Sequence, residues 1–175
     1  MRKSMLCLIM PVFIFVNAHA EDSAAKSHPE WLSPDALFVF DNGVGQNQWT
    51  PEQQAETLDE LGYAGIGYSG TGELDERLAA FDRHDLRIFN LYVECNLSND
   101  PPFGDDLRVA IRRLAGTDVT IWLTVRGESR NDDKAVQYVR EIAKLAKASR
   151  LKVALYPHSG FYVEHLDDAL RIVRK

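Results

Sequence analysis

One histidine in this chain arrives in a setting suited to chemistry. The run Lys152-Val153-Ala154-Leu155-Tyr156-Pro157-His158-Ser159-Gly160 is a short apolar strand that stops at a proline and hands His158 to a loop containing a glycine. A histidine held in such a loop can contact a ligand or exchange a proton near neutral pH. The same passage from apolar run to polar loop occurs upstream, at Asp41 and Asn42, at Ser69, at Glu94 and Asn96, and at Arg126 and Glu128. Amides, carboxylates, a guanidinium and an imidazole on successive loops fit hydrogen-bonded capture of a polar small molecule. His158 and Glu94 are the candidates for proton transfer. Asp41, Asn42, Glu94, Arg126, Tyr156 and His158 are the candidates for substrate binding. Plainer roles stay open: Asp41 and Asn42 as turn formers, and Glu94, Arg126 and Glu128 as a solvated charge cluster. His158 and His165 match no metal-ligand spacing, so the residues assign no metal site.

Five strand-helix units are expected to position these loops. Leu37–Phe40 is a continuous apolar run, the mark of a strand covered on both faces, and Val119–Val125 is a further strand of the buried type. Ala64–Tyr68, Ile88–Val93 and Lys152–Tyr156 complete the strand set. Helix starts and stops are written locally. Thr50 is an N-cap, Pro51 takes the first helical position and Gln53 closes a capping box, with Ala55, Leu58 and Leu61 as the apolar face. Gly62 ends that helix in the left-handed conformation, and Gly116 stops the third one. Leu74, Leu78 and Phe81 mark the second helix; Leu107, Ala110, Ile111 and Leu114 mark the third. The fourth spans Asp132 to Ala148, and the fifth runs from about Glu164 to Val173. Regular alternation of strand and helix means a parallel sheet with helical crossovers.

A closed barrel and an open doubly wound sheet both satisfy that alternation. The open sheet needs a phosphate loop, and Gly65-Ile66-Gly67-Tyr68-Ser69-Gly70 matches G-x-G-x-x-G in letters. Its first two glycines fall inside the strand, and Glu73, Asp75 and Glu76 open the next helix, which repels a pyrophosphate. Close packing of strand glycines explains the motif better. The barrel gathers every candidate residue at the carboxyl ends of the strands, where barrels of this type place their sites.

Charge and leader narrow the function classes. Residues 1–20 show a basic start (Arg2, Lys3), an apolar run from Met5 to Val16 and the cleavage site Ala18-His19-Ala20, which together read as a secretory signal peptide. The expected organisation is residues 1–20 as signal, 21–35 as linker and 36–175 as the barrel domain, exported to a periplasmic or extracellular space without a membrane anchor. Setting Arg2 and Lys3 aside leaves 18 basic residues against 26 acidic, a net charge of −8. Nucleic acid is thereby excluded as a partner. Cys95 is the one cysteine remaining after cleavage, so no internal disulfide is expected, and a small buried side chain is its expected role.

The runs Phe38-Val39-Phe40-Asp41-Asn42, Thr50-Pro51-Glu52-Gln53, Leu61-Gly62-Tyr63-Ala64-Gly65-Ile66 and Val153-Ala154-Leu155-Tyr156-Pro157-His158 resemble exported members of the xylose isomerase-like TIM-barrel superfamily. The resemblance covers residues 36–175 and implies an α/β fold of the (β/α) barrel type, incomplete at about five units. It implies a sugar or sugar phosphate as ligand, and isomerase or epimerase chemistry at a divalent metal such as Mn2+ or Mg2+. The superfamily's first metal glutamate ends strand five, where this chain has Tyr156, and its other ligands come from strands six to eight. No cofactor is therefore supported by the residues present. A non-catalytic carbohydrate-binding or interaction module is the alternative, with Trp49, Trp122 and Tyr156 able to stack on sugar faces, although Trp122 at mid-strand reads as core. An incomplete barrel leaves open sheet edges, through which self-association is expected.

Overall fold

The computed structural model describes residues 37–127 and 131–175. The expected signal peptide and linker, and the candidate Glu128, lie outside the described residues. Five strand-helix units follow one another: β1 (Phe38–Phe40), α1 (Pro51–Glu60), β2 (Gly65–Ser69), α2 (Leu74–Arg83), β3 (Arg87–Asn96), α3 (Asp105–Arg113), β4 (Thr120–Arg126), α4 (Asp132–Ala148), β5 (Lys152–Leu155) and α5 (Leu166–Val173). The strands form one parallel sheet in the order β1-β2-β3-β4-β5. Sequential order without a reversal is the order of a barrel; a doubly wound sheet turns back at a switch point.

The local signals act as expected. Thr50 Oγ1 accepts from the Gln53 N–H at 3.2 Å while Gln53 Oε1 accepts from the Thr50 N–H at 2.9 Å, so the capping box is complete. Gly62 has φ +73°, the left-handed stop expected after α1. α4 keeps its expected limits, and Asn131 caps it by accepting from the Lys134 N–H at 3.0 Å.

The core lies between the outer face of the sheet and the helices. Ile66, Leu91, Ile121, Leu123 and Val125 from the strands are fully buried against Leu58, Phe81, Ile111 and Ile142 from the helices. Burying each such side chain contributes about 1.5–3 kcal/mol. Cys95 belongs to this layer, and burial pushes its thiol up to about 12, which leaves it a packing residue. Leu61, expected on the apolar face of α1, lies just past the helix end and is 64% exposed.

The glycines of the apparent phosphate motif serve the sheet. Gly65 and Gly67 lie within β2 and pair with β3, whose register shifts between Ile66 and Gly67. Gly65 has φ +152°, and a Cβ there would sit 1.8 Å from the Arg87 carbonyl oxygen. Only glycine allows the two strands to approach so closely.

The inner face is different in kind. Phe38, Phe40, Phe89, Tyr92, Trp122 and Tyr156 form a continuous aromatic layer across it, each half-buried. β1 is accordingly half-buried, not covered on both faces as its apolar run suggests. Trp122 leaves the helix-covered core and stacks on Tyr156, with centroids 5.2 Å apart and planes at 16°.

Candidate functional site

Parallel strands deliver their following loops to one rim, and the expected residues collect there. β1 runs into a short 3-10 turn at Asp41–Gly43. Asp41 is 1% exposed, and its carboxylate accepts from the Ser69 N–H at 3.0 Å, from Ser69 Oγ at 2.8 Å and from Gln46 Nε2 at 3.2 Å. Asp41 therefore ties the first loop to the end of β2, and no oxygen of it faces the rim unengaged. Its neighbour Asn42 is exposed beside it.

A cleft of about 340 Å³ opens above this tie. Phe40, Tyr92 and Tyr156 supply its aromatic wall, and Asn42, Gln46, Ser69 and His158 its polar one. Tyr92 and Tyr156 meet edge to face at 5.4 Å. Burial, opposed by a hydrogen bond to Thr124, raises the Tyr92 phenol above its ordinary range, so it stays a neutral donor. His158 Nδ1 lies 3.0 Å from the Ser159 carbonyl oxygen. A carbonyl only accepts, so Nδ1 carries the proton of the neutral ring and Nε2 is left as an acceptor.

Glu94 and Arg126 are brought to one another instead of into this cleft. Arg126 Nη1 donates to Glu94 Oε2 at 3.0 Å between the ends of β3 and β4, with both side chains partly exposed. Glu94 borders a second cleft of about 300 Å³ with Thr71, Phe103 and Asp106, which shares Ser69 and Tyr92 with the first. Of the six expected binding residues, Asn42, Tyr156 and His158 share the first cleft, Asp41 lies behind it, and Glu94 and Arg126 flank it. Gln46 and Tyr92 were not singled out by sequence. Tyr92 sits two residues before Glu94, on the same strand face, which is a legible signal. Gln46 carries none.

A second polar cluster fills the rim between β4 and α5. Asp132 accepts from the Tyr162 hydroxyl at 2.5 Å, and it lies 3.2 Å from Arg171 Nε and 3.0 Å from Lys175 Nζ. These hydrogen bonds, Tyr162 first, hold the Asp132 carboxyl at about 2. Arg171 also binds Asp168 at 2.5 Å and is the chief cause of its carboxyl lying at about 2. The groups neutralise one another and fasten α5 to the start of α4.

The divalent metal that the resemblance implies does not fit the described residues. Among the described residues no three His, Cys, Asp or Glu side chains converge. Both oxygens of Asp41 are bonded within the protein, Glu94 is held by Arg126, and the phenol of Tyr156 is no substitute for a carboxylate on a hard cation.

Comparison with solved structures agrees with this architecture. The chain is similar to the probable 3-DHS dehydratase AsbF involved in petrobactin synthesis from Bacillus anthracis, with TM-score 0.59 and 15% identity over 79% of this chain and 58% of that one. It is also similar to a xylose isomerase-like TIM barrel protein from Mycobacterium smegmatis, solved in complex with magnesium, with TM-score 0.60 and 15% identity over 79% and 60% of the two chains. No protein-family model and no curated protein matches the chain. The fold is thus of the TIM-barrel type, present among the described residues as five parallel units. The chain spans about three-fifths of the length of the solved structures it matches.

Proposed function

We propose that the rim cleft binds a sugar or sugar phosphate, and that His158 exchanges a proton with it in isomerase- or epimerase-type chemistry. The observation that carries this reading is the pairing, in one cleft, of aromatic faces with amide, hydroxyl and imidazole groups. Aromatic faces pack on the C–H side of a sugar ring, and the polar groups bond its hydroxyls. Among the described residues, His158 is the sole imidazole or carboxylate lining the cleft, with Nε2 free to accept. The name of the Mycobacterium smegmatis neighbour, xylose isomerase-like, points to the same ligand class.

The absence of a second imidazole or of a carboxylate among the described cleft residues favours a second reading, a carbohydrate-binding module without turnover. We further propose that the mature chain acts after export, which the basic, apolar and Ala-x-Ala order of residues 1–20 supports.

Titration calorimetry with D-xylose and fructose 6-phosphate, repeated with Mn2+ and with EDTA, tests the proposal. Binding that His158→Ala weakens while the melting temperature holds supports the site. Leu123→Ala, in the core, should do the reverse and cost about 2–5 kcal/mol of folding energy. Conversion of the sugar that His158→Ala abolishes favours the enzyme, and binding without conversion, unchanged by EDTA, favours the module. Equal loss of stability from both substitutions would make His158 a packing residue and remove the proposal.

A further inference from the structure

We infer that Phe161 is a positioning residue for His158, placed there by a turn that depends on Gly160. The inference rests on the ligand cleft proposed above and deepens it. Residues 158–161 fold back on themselves, with the Phe161 N–H donating to the His158 carbonyl at 3.0 Å. Gly160, third in that turn, has φ +77°. A type II turn requires about +80° there, which side chains with a Cβ rarely adopt. The fold-back lays the Phe161 ring against the imidazole, with centroids 4.2 Å apart and planes at 27°.

The base of the loop is anchored as well. The His158 N–H donates to the Val163 carbonyl at 3.0 Å, and the Val163 N–H donates to the Val125 carbonyl at 3.2 Å. Val163 is fully buried, and Glu164 Oε1 accepts from the Gly160 N–H at 3.0 Å. The ring of Phe161 is itself held, because the Arg126 guanidinium lies 4.7 Å from its centroid and is tied to Glu94. An exposed imidazole otherwise moves among rotamers. Here the ends of three strands restrict it: β3 through Glu94, β4 through Arg126, and β5 through the turn. Glu94 and Arg126 thus act on the cleft without lining it, by steadying the ring on which His158 rests.

Imidazole NMR of the ligand-free mature chain tests this without a sugar. The wild-type His158 ring protons should be shifted upfield by the Phe161 ring. Phe161→Leu should return them toward free-imidazole positions, Phe161→Tyr should restore the shift, and Gly160→Ala should mimic the leucine variant. Should D-xylose or fructose 6-phosphate bind the wild type, Phe161→Leu should weaken it about tenfold, the scale of one lost aromatic pair. His158 resonances indifferent to both Phe161→Leu and Gly160→Ala would overturn the inference. A normal set of shifts with no sugar binding in any variant would leave the positioning intact and sink the ligand reading alone.

Discussion

Phe40 in β1 and Trp122 in β4 meet with ring centroids 5.5 Å apart, although β2 and β3 lie between their strands in the sheet. Contact across two intervening strands requires a strongly curved sheet wrapped around its own inner face. The curvature is that of a barrel wall, and the aromatic layer fills the hollow in the way barrel interiors are filled.

Among the described residues, the two outer strands, β1 and β5, pair on one side only. Large apolar side chains also stand exposed: Leu37 at 57% directly before β1, and Leu166 and Val173, each at 67%, on α5. Open edges and exposed apolar surface favour association. The purified 21–175 chain should sediment above its monomer mass or precipitate, and Leu166→Glu with Val173→Glu should reduce that tendency. A monomer with a sharp, cooperative melt would contradict this expectation.

His84 joins α2 to α1, with Nδ1 3.1 Å from Asp59 and Nε2 3.3 Å from Glu52. The Asp59 hydrogen bond foremost, opposed by desolvation and aided by Glu52, raises the imidazole above its ordinary range. A raised folded value gives stability that is complete below the ordinary histidine value of about 6.5 and is lost as pH climbs through the raised one. Glu52 has the opposite sign. The hydrogen bond from Arg83 foremost lowers its carboxyl, so its contribution is present above about 4.3 and is lost as pH falls through the lowered value. Melting temperature should decline as pH rises above about 6.5, and His84→Gln should flatten that decline. An equal decline in the variant would assign it to other groups.

Asn90 is 1% exposed on the inner side of β3, and neither Nδ2 nor Oδ1 has a hydrogen-bond partner among the described residues. Its amide packs against Gly67, where an added Cβ would lie 3.0 Å from Nδ2. An unsatisfied buried polar group costs about 1–3 kcal/mol, and an apolar group of similar shape removes that cost. Asn90→Leu should therefore raise stability in a denaturant titration by about 1 kcal/mol or more. A loss of that size would mean the amide finds partners in solution.

Intact mass of the secreted protein should begin at Glu21, following cleavage after Ala18-His19-Ala20. A mature species that retains Met5–Val16 would instead indicate a membrane anchor.

Local chemistry made much of the fold legible in advance. The Thr50, Pro51 and Gln53 cap, the stops at Gly62 and Gly116, and the limits of α4 depend on residues a few positions apart, so the sequence carries them outright. Strand-helix alternation likewise determined a parallel sheet with its loops on one rim. What the loops do there was decided by tertiary structure. Asp41 turns inward because Ser69, 28 positions away, supplies two donors for its carboxylate, and Glu94 is taken by Arg126 from the neighbouring strand. Gln46 enters the cleft only through the course of a loop. Trp122 shares its face of β4 with Thr120 and Thr124, and packing of the helices against Ile121, Leu123 and Val125 on the opposite face turned it toward the hollow. The sequence set the elements and their order, and packing between distant residues chose which side chains remain free to meet a ligand.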